Sequence, residues 1–270
     1  MAQPDTGKRA IVRQVQRKKR MVNGRLIQIG TALVTLAALA ACGDSTGPGS
    51  KTYSQAVRAD VPAVYWRFEE TSGTVAADSS GNGRNGAYVG NPTLGAALSS
   101  PLGRAITLSH TSGDAVAQGA APWARFSAFT LEAWIKPSQT QYAEAPIIID
   151  KGSVWNMIIT ADGHPAIQFP GAPSQRVLGP ATLSVGSVYH LVGTYTPGTP
   201  HGVMTLYVNG ALMGTGTDEP SSIPDQDTPI HVGQGLSPLE WDVAGTIDEV
   251  AIYDHALTAE AILNHYNAGK

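Results

Sequence analysis

The chain has 270 residues, a formal net charge of −3 and one cysteine. That length allows one or two domains, and the lone Cys42 excludes a disulfide within the chain and argues against a thiolate metal site. Thirty glycines and eighteen prolines cut the sequence into short β-rich runs, a pattern of sandwiches and jelly rolls and not of helical folds.

Residues 1–25 carry eight bases (Lys8, Arg9, Arg13, Arg17, Lys18, Lys19, Arg20 and Arg25) against a single acid, Asp5. The apolar run at 29–41 is too short and too alanine-rich for a good membrane span. Basic, apolar and then small residues predict a secretory signal peptide over 1–41. Its end, Leu39-Ala40-Ala41-Cys42-Gly43, resembles a bacterial lipobox. That resemblance implies lipidation at Cys42, with Gly43 in the following position favouring the outer membrane or cell surface. Met21 is an alternative start that leaves Arg25 as the basic lead. Residues 42–52, rich in Gly, Ser and Pro, read as a flexible tether. Without the leader, ten bases face twenty acids, a net charge of −10. Such an acidic domain is a poor partner for nucleic acid, and a membrane would hold it through the lipid alone.

The remainder, 53–270, reads as one β-rich domain. A brief helix at 53–60 stops before Pro62, and a strand follows at 63–70. The segment 129–137 is the most regular strand. Residues 147–149 and 155–160 form a pair turning near Gly152, and Asp162-Gly163 marks the next turn. Segments 189–195 and 205–208 form another pair, with Asn209-Gly210 as a turn former. The strand at 245–253 contains Asp248 and Glu249, which alternation places on opposite faces. At least one of them should be buried and need a cation or several donors. A terminal helix follows: Thr258 is its N-cap, Glu260 suits the first turn, Leu257 and Ile262 form a staple, and Gly269 is the stop.

Two stretches carry a family resemblance. Near the start, Tyr65-Trp66-x-Phe68-Glu69 leads through a glycine turn to Asp78-x-Ser80-Gly81-Asn82-Gly83-x-x-Gly86. Near the end, Gly245-x-Ile247-Asp248-Glu249-Val250-x-Ile252-Tyr253 precedes Ala256-Leu257 and the helix. Together they resemble the LamG-like jellyroll domain of the concanavalin A-like lectin/glucanase superfamily, over nearly the whole of 53–270. The resemblance implies an all-β sandwich of two antiparallel sheets with a short C-terminal helix. Segments 105–108 and 113–116 match the family's early hairpin. Tyr189 stands where the family commonly has Trp, and Asn209 where it has Asp. Related domains hold calcium in such loops, so the resemblance implies a calcium site from Asp78, Asn82, Asn85 and Asp248. Read locally, Asp78 and Asn82 are also ordinary turn stabilisers. The loop at Asp225-Gln226-Asp227 reads as solvated surface.

On the strand at 129–137, Phe129, Leu131, Ala133 and Ile135 share one face and Thr130, Glu132, Trp134 and Lys136 the other. If the second face is open, Glu132 and Trp134 with His190 and Tyr207 from neighbouring strands form a glycan platform. Glu132 and Trp134 also recur in the family motif, which gives them a structural reading. Trp123, Trp155 and Trp241 are alternative stacking residues. Enzymes of the superfamily usually carry Glu-x-Asp-x-x-Glu on one strand, and this chain has no such run. It also lacks a Gly-x-Ser-x-Gly elbow and any zinc-type histidine spacing. The reading is a lipid-anchored envelope protein displaying a non-catalytic jellyroll for glycan. The alternatives are an adhesive module for extracellular protein and, third, a polysaccharide hydrolase or lyase.

Overall fold

The computed structural model describes residues 51–110, 115–152, 154–170, 175–224, 226–235 and 242–270. The predicted signal peptide, Cys42, most of the tether, Gly113, Asp114, Asp225 and Trp241 lie outside these residues. Chain order begins with α1 (Tyr53–Ala59), β1 (Val64–Trp66), β2 (Val75–Ala76), β3 (Gly86–Val89), β4 (Thr93–Ala97) and β5 (Arg104–Leu108). It continues with β6 (Ala115–Ala120), β7 (Phe129–Pro137), β8 (Ile147–Asp150), β9 (Asn156–Ile159), β10 (Pro165–Gln168) and β11 (Arg176–Leu178). It closes with β12 (Tyr189–Thr196), β13 (Gly202–Val208), β14 (Ala211–Glu219), β15 (Pro229–Val232), β16 (Gly245–Tyr253) and α2 (Ala259–Gly269).

The strands form two antiparallel sheets of eight. The first runs β14-β13-β12-β7-β16-β5-β4, with β1 also paired to β16, and the second runs β11-β10-β9-β8-β15-β6-β3-β2. This is the expected jellyroll sandwich. Phe129, Leu131, Ala133 and Ile135 of β7 meet Ile149, Met157, Ile167 and Val232 of the second sheet in the main core. Period-two alternation on both sheets builds that layer. The early hairpin does not form: β5 pairs with β4 and β16 in the first sheet, whereas β6 pairs with β3 and β15 in the second. Residues 105–108 and 115–116 therefore mark a crossing between layers, which local sequence similarity cannot distinguish from a turn.

Strand β16 is the spine of the first sheet. It pairs with β7 on one edge and with both β5 and β1 on the other. Its register against β7 shifts between Asp248 and Ala251, and Glu249 adopts φ 51°. This bulge breaks strict alternation at Asp248 and Glu249, and both are buried.

The first sheet is also buried on its outer side. Tyr53 and Val57 of α1 and Ile262 of α2 pack there with Tyr65, Trp134, Val192 and Tyr253. Thr52 and Gln55 cap α1 reciprocally, and Thr258 caps α2 as expected. Gly269 is not a stop but the last helical residue. A Cβ there would lie 2.5 Å from Trp134 Cζ2, so the glycine is selected by close approach to the indole. No helix among the described residues is long and apolar enough to cross a membrane.

Helix propensity alone would make Gly269→Ala stabilising by about 1 kcal/mol. The overlap with Trp134 should outweigh this at about 1–3 kcal/mol, so the variant's thermal midpoint should fall below the wild type's.

Candidate functional site

The face expected to be an open platform is covered. Glu132 and His190 are 0 % exposed and Trp134 is 2 % exposed. Only Tyr207 keeps partial access, beside the covered cluster. The cause is tertiary: α1 and α2, from opposite ends of the domain, both pack on this face. Glu132 becomes the centre of a closed polar network. Tyr53 Oη and His190 Nε2 each donate to its carboxylate at 2.7 Å, Tyr253 Oη donates at 2.8 Å, and His265 Nδ1 donates at 3.0 Å. His265 Nε2 in turn reaches Asp60 Oδ2 at 3.0 Å. Burial alone would raise the Glu132 carboxyl, but the His265 charge and the two imidazole hydrogen bonds hold it well below its ordinary value. Burial likewise opposes protonation of His265, yet Glu132 and Asp60 push it up to about 8. The arrangement is a buried anion clamped between two helices. It is closed to a glycan, and the four-residue platform is corrected accordingly.

The expected calcium donors do not converge either. Asp78 Oδ1 accepts the Tyr65 and Ser80 amides at 3.0 and 2.8 Å, and Oδ2 accepts Ser80 Oγ and the Arg84 amide at 2.8 and 2.9 Å. Asn82 presents its amide nitrogen to the carbonyl of Ala63, and Asn85 Oδ1 accepts the Asp78 amide. These groups saturate one another and close the Gly-rich loop onto β1. Asp248 is elsewhere engaged: its Oδ1 accepts the Glu249 amide at 2.8 Å, while Oδ2 has no hydrogen-bond partner. Burial, reinforced by Glu249, raises the Asp248 carboxyl well above its ordinary value. The cation that the closing strand requires is Arg67, which binds Glu249 at 3.3 Å together with a hydrogen bond from Tyr65 Oη. Burial still raises Glu249 to about 7. The four expected donors are thus engaged in hydrogen bonds within the protein, apart from Asp248 Oδ2. Among the described residues, no three His, Cys, Asp or Glu are grouped to hold a metal.

Accessible grooves among the described residues include the following three. One of about 480 Å³ lies between α1 and α2 and is lined by Asp60, Glu260, Asn264, His265 and Asn267. A second, about 400 Å³, lies at the β9–β10 turn beside Asp162, His164 and Arg176. The third, about 300 Å³, is bordered by Arg125, Phe126, Ser127, Pro197, Ile223 and Pro224. Of these, only the third has a Phe, Tyr or Trp side chain in its described lining. Phe126 pairs with Trp123 at 6.0 Å between ring centroids, and both are half-buried. Arg84 lies 4.0 Å over the Trp123 ring and helps to hold the indole. Arg125 forms a fork to Asp227 at 2.9 and 2.7 Å on the rim. An apolar ring pair with a charged rim suits a ligand that has both apolar faces and hydroxyls. Of the other alternative stacking residues, Trp155 is fully buried and Trp241 is outside the described residues. The sequence signalled Trp123 but not Phe126, because nothing local shows that 122–127 and 222–227 meet.

Residues 110–263, more than half of the chain, match the family model described as the concanavalin A-like lectin/glucanases superfamily. The chain belongs to that superfamily. No curated protein matches it. Among solved structures, this jellyroll is similar to domain 4 of AbnA, an extracellular arabinanase from Geobacillus stearothermophilus solved with arabinotriose. The TM-score is 0.58 at 19 % identity, covering 77 % of this chain and 98 % of that one. It is also similar to the receptor-binding domain of botulinum neurotoxin mosaic serotype C/D, with TM-score 0.60, 19 % identity, and 78 % and 51 % covered. Trypanosoma rangeli sialidase gives TM-score 0.58 at 14 % identity, with 76 % and 33 % covered. The chain thus spans about half of the toxin domain and a third of the sialidase. The neighbours include both binding domains and a glycosidase, and at these identities the likeness concerns the fold.

The Glu132 clamp predicts a direction for pH. His265 binds its proton more tightly when folded, at about 8, than the usual 6.5 or so when unfolded. Its contribution, about 2 kcal/mol, is fully present below pH ~6.5 and is lost as pH rises through about 8. Thermal midpoints should therefore fall across that window, and His265→Gln should flatten the fall. Glu132→Gln should cost about 3–5 kcal/mol, as for a broken buried pair, read by denaturant unfolding.

Proposed function

We propose that the protein is a lipid-anchored component of the cell envelope whose jellyroll binds glycan without cleaving it. The observation that carries this reading is the half-buried Trp123–Phe126 pair beside the 300 Å³ groove, with the Arg125–Asp227 fork on its rim. Sugar rings present apolar C–H faces to aromatic rings, and their hydroxyls exchange hydrogen bonds with the fork. Cleavage is the weaker reading. A glycosidase needs two carboxyl groups about 5–10 Å apart across the scissile bond, and no carboxylate is among the groove's described lining residues. The buried carboxylates Glu132, Asp248 and Glu249 are sealed from any substrate. The complex of the arabinanase domain with arabinotriose and that of a botulinum neurotoxin DC binding domain with SialylT support glycan as the ligand class. Anchoring rests on the lipobox-like run ending at Cys42, with the Gly- and Ser-rich segment behind it as a tether.

Binding should be read on arabino- and sialyl-oligosaccharide panels by titration calorimetry. Phe126→Ala or Trp123→Ala should cost about 2 kcal/mol, roughly thirtyfold in affinity, while the cooperative melt survives. Unchanged affinity in both variants rejects this groove. Cys42→Ser should move the protein from the detergent phase to the aqueous phase and abolish acyl labelling. Unchanged partitioning rejects the anchor.

A further inference from the structure

The outward face of the second sheet carries a polar row in which Asp150 interacts with the Asn156 side chain and the Gly152 amide. Ile149, Met157 and Val232 point into the main core, so alternation turns their neighbours Asp150, Asn156 and His231 outward. The three are directly opposed across adjacent strands: Asn156 pairs with Asp150, and Asp150 pairs with His231. With strands about 4.8 Å apart, their backbones fall within about 10 Å. Asp150 is 1 % exposed and Asn156 4 % exposed.

Each of the three has a buried atom without a hydrogen-bond partner: Asp150 Oδ1, Asn156 Oδ1 and His231 Nδ1. The other Asp150 oxygen accepts the Gly152 amide at 2.9 Å, which fixes the orientation of the carboxyl. All three orphans are lone-pair positions. With the proton of a neutral imidazole on Nε2, His231 Nδ1 is a lone-pair acceptor like the two Oδ1 atoms. An orphaned buried acceptor costs about 1–3 kcal/mol, and native proteins seldom leave three side by side. One water donates two protons at most and cannot serve three acceptors. A cation serves them together.

We propose that Asp150, Asn156 and His231 form a site for one divalent first-row transition ion of the zinc type. The donor set selects the ion. Calcium takes six to eight oxygens, whereas the imidazole of His231 together with the Asp150 carboxylate favours zinc and its neighbours, the Asn156 oxygen being the weakest of the three ligands. Three protein ligands leave a fourth position for water or a ligand hydroxyl. The third ligand is an asparagine, whose side-chain oxygen carries no charge. This site is remote in sequence from Trp123 and Phe126 and stands whether or not glycan binds there.

The test uses the full chain, stripped with EDTA and carrying Cys42→Ser in every sample so that a thiol cannot compete. Zinc should bind one per chain by calorimetry and raise the thermal midpoint, with calcium at the same concentration giving no shift. Asp150→Asn is isosteric and should melt cooperatively without metal, yet lose at least tenfold in zinc affinity. His231→Gln should lose as much, and His201→Ala, at an exposed histidine, should lose nothing. Zinc affinity unchanged in both Asp150→Asn and His231→Gln, or no zinc binding by the parent, overturns the site. In that case a proton on Asp150 and buried water satisfy the row.

Discussion

The interaction on which the structure most depends is the burial of the Glu132 carboxylate at the centre of the first sheet. An anion removed from water is tolerable only when donors surround it. Here the donors come from Tyr53 in α1, His190 in β12, Tyr253 in β16 and His265 in α2. Those residues span the described chain from near its start to near its end. Satisfying one carboxylate thus brings the terminal helices onto one face of the sheet and closes that face to ligands. The hydrophobic contacts of Val57, Ile262, Trp134 and Tyr253 supply the area, and the carboxylate specifies how the pieces meet.

The same logic recurs with a different solution at the bulge of β16. Glu249 is matched by Arg67 and Tyr65, whereas burial shifts the Asp248 carboxyl upward. A sheet buried on both faces tolerates acids by pairing them or by favouring their neutral form, and the two neighbours differ in which effect acts on them. Since these acids are consumed by the architecture, function has to be sought away from the first sheet. Two features outside the first sheet's acids are the accessible aromatic groove at Trp123 and Phe126, which supports the glycan reading, and the buried row on the outward side of the second sheet, which suits a cation.

Local patterns were reliable wherever the determining physics was local. The alternation of Phe129, Leu131, Ala133 and Ile135, the Thr258 cap, the Asn209-Gly210 turn with both residues at positive φ and the pairing of β12 with β13 all follow from neighbouring residues. The family signatures add the two-sheet sandwich. Candidate sites were less legible. Asp78 and Asn82 look alike in sequence whether they ligate an ion or satisfy a turn, since both uses need the same short oxygen-bearing side chains. Only the positions of the Tyr65, Ser80 and Arg84 donors distinguish the cases.

By itself, the sequence determined the fold class, the acidic character of residues 42–270, the strand faces and the helix starts, because these depend on periodicity, capping and composition. Tertiary structure decided which strand face is covered, that residues 105–108 and 115–116 belong to different sheets, and that Gly269 is needed against Trp134. It also brought Asp150, Asn156 and His231 into one row from three separate strands. The physical reason is the same each time: burial and partner satisfaction are properties of the space around a side chain. That space is filled here by segments as distant as Tyr53 and His265, whose meeting is decided by packing and not by neighbouring sequence.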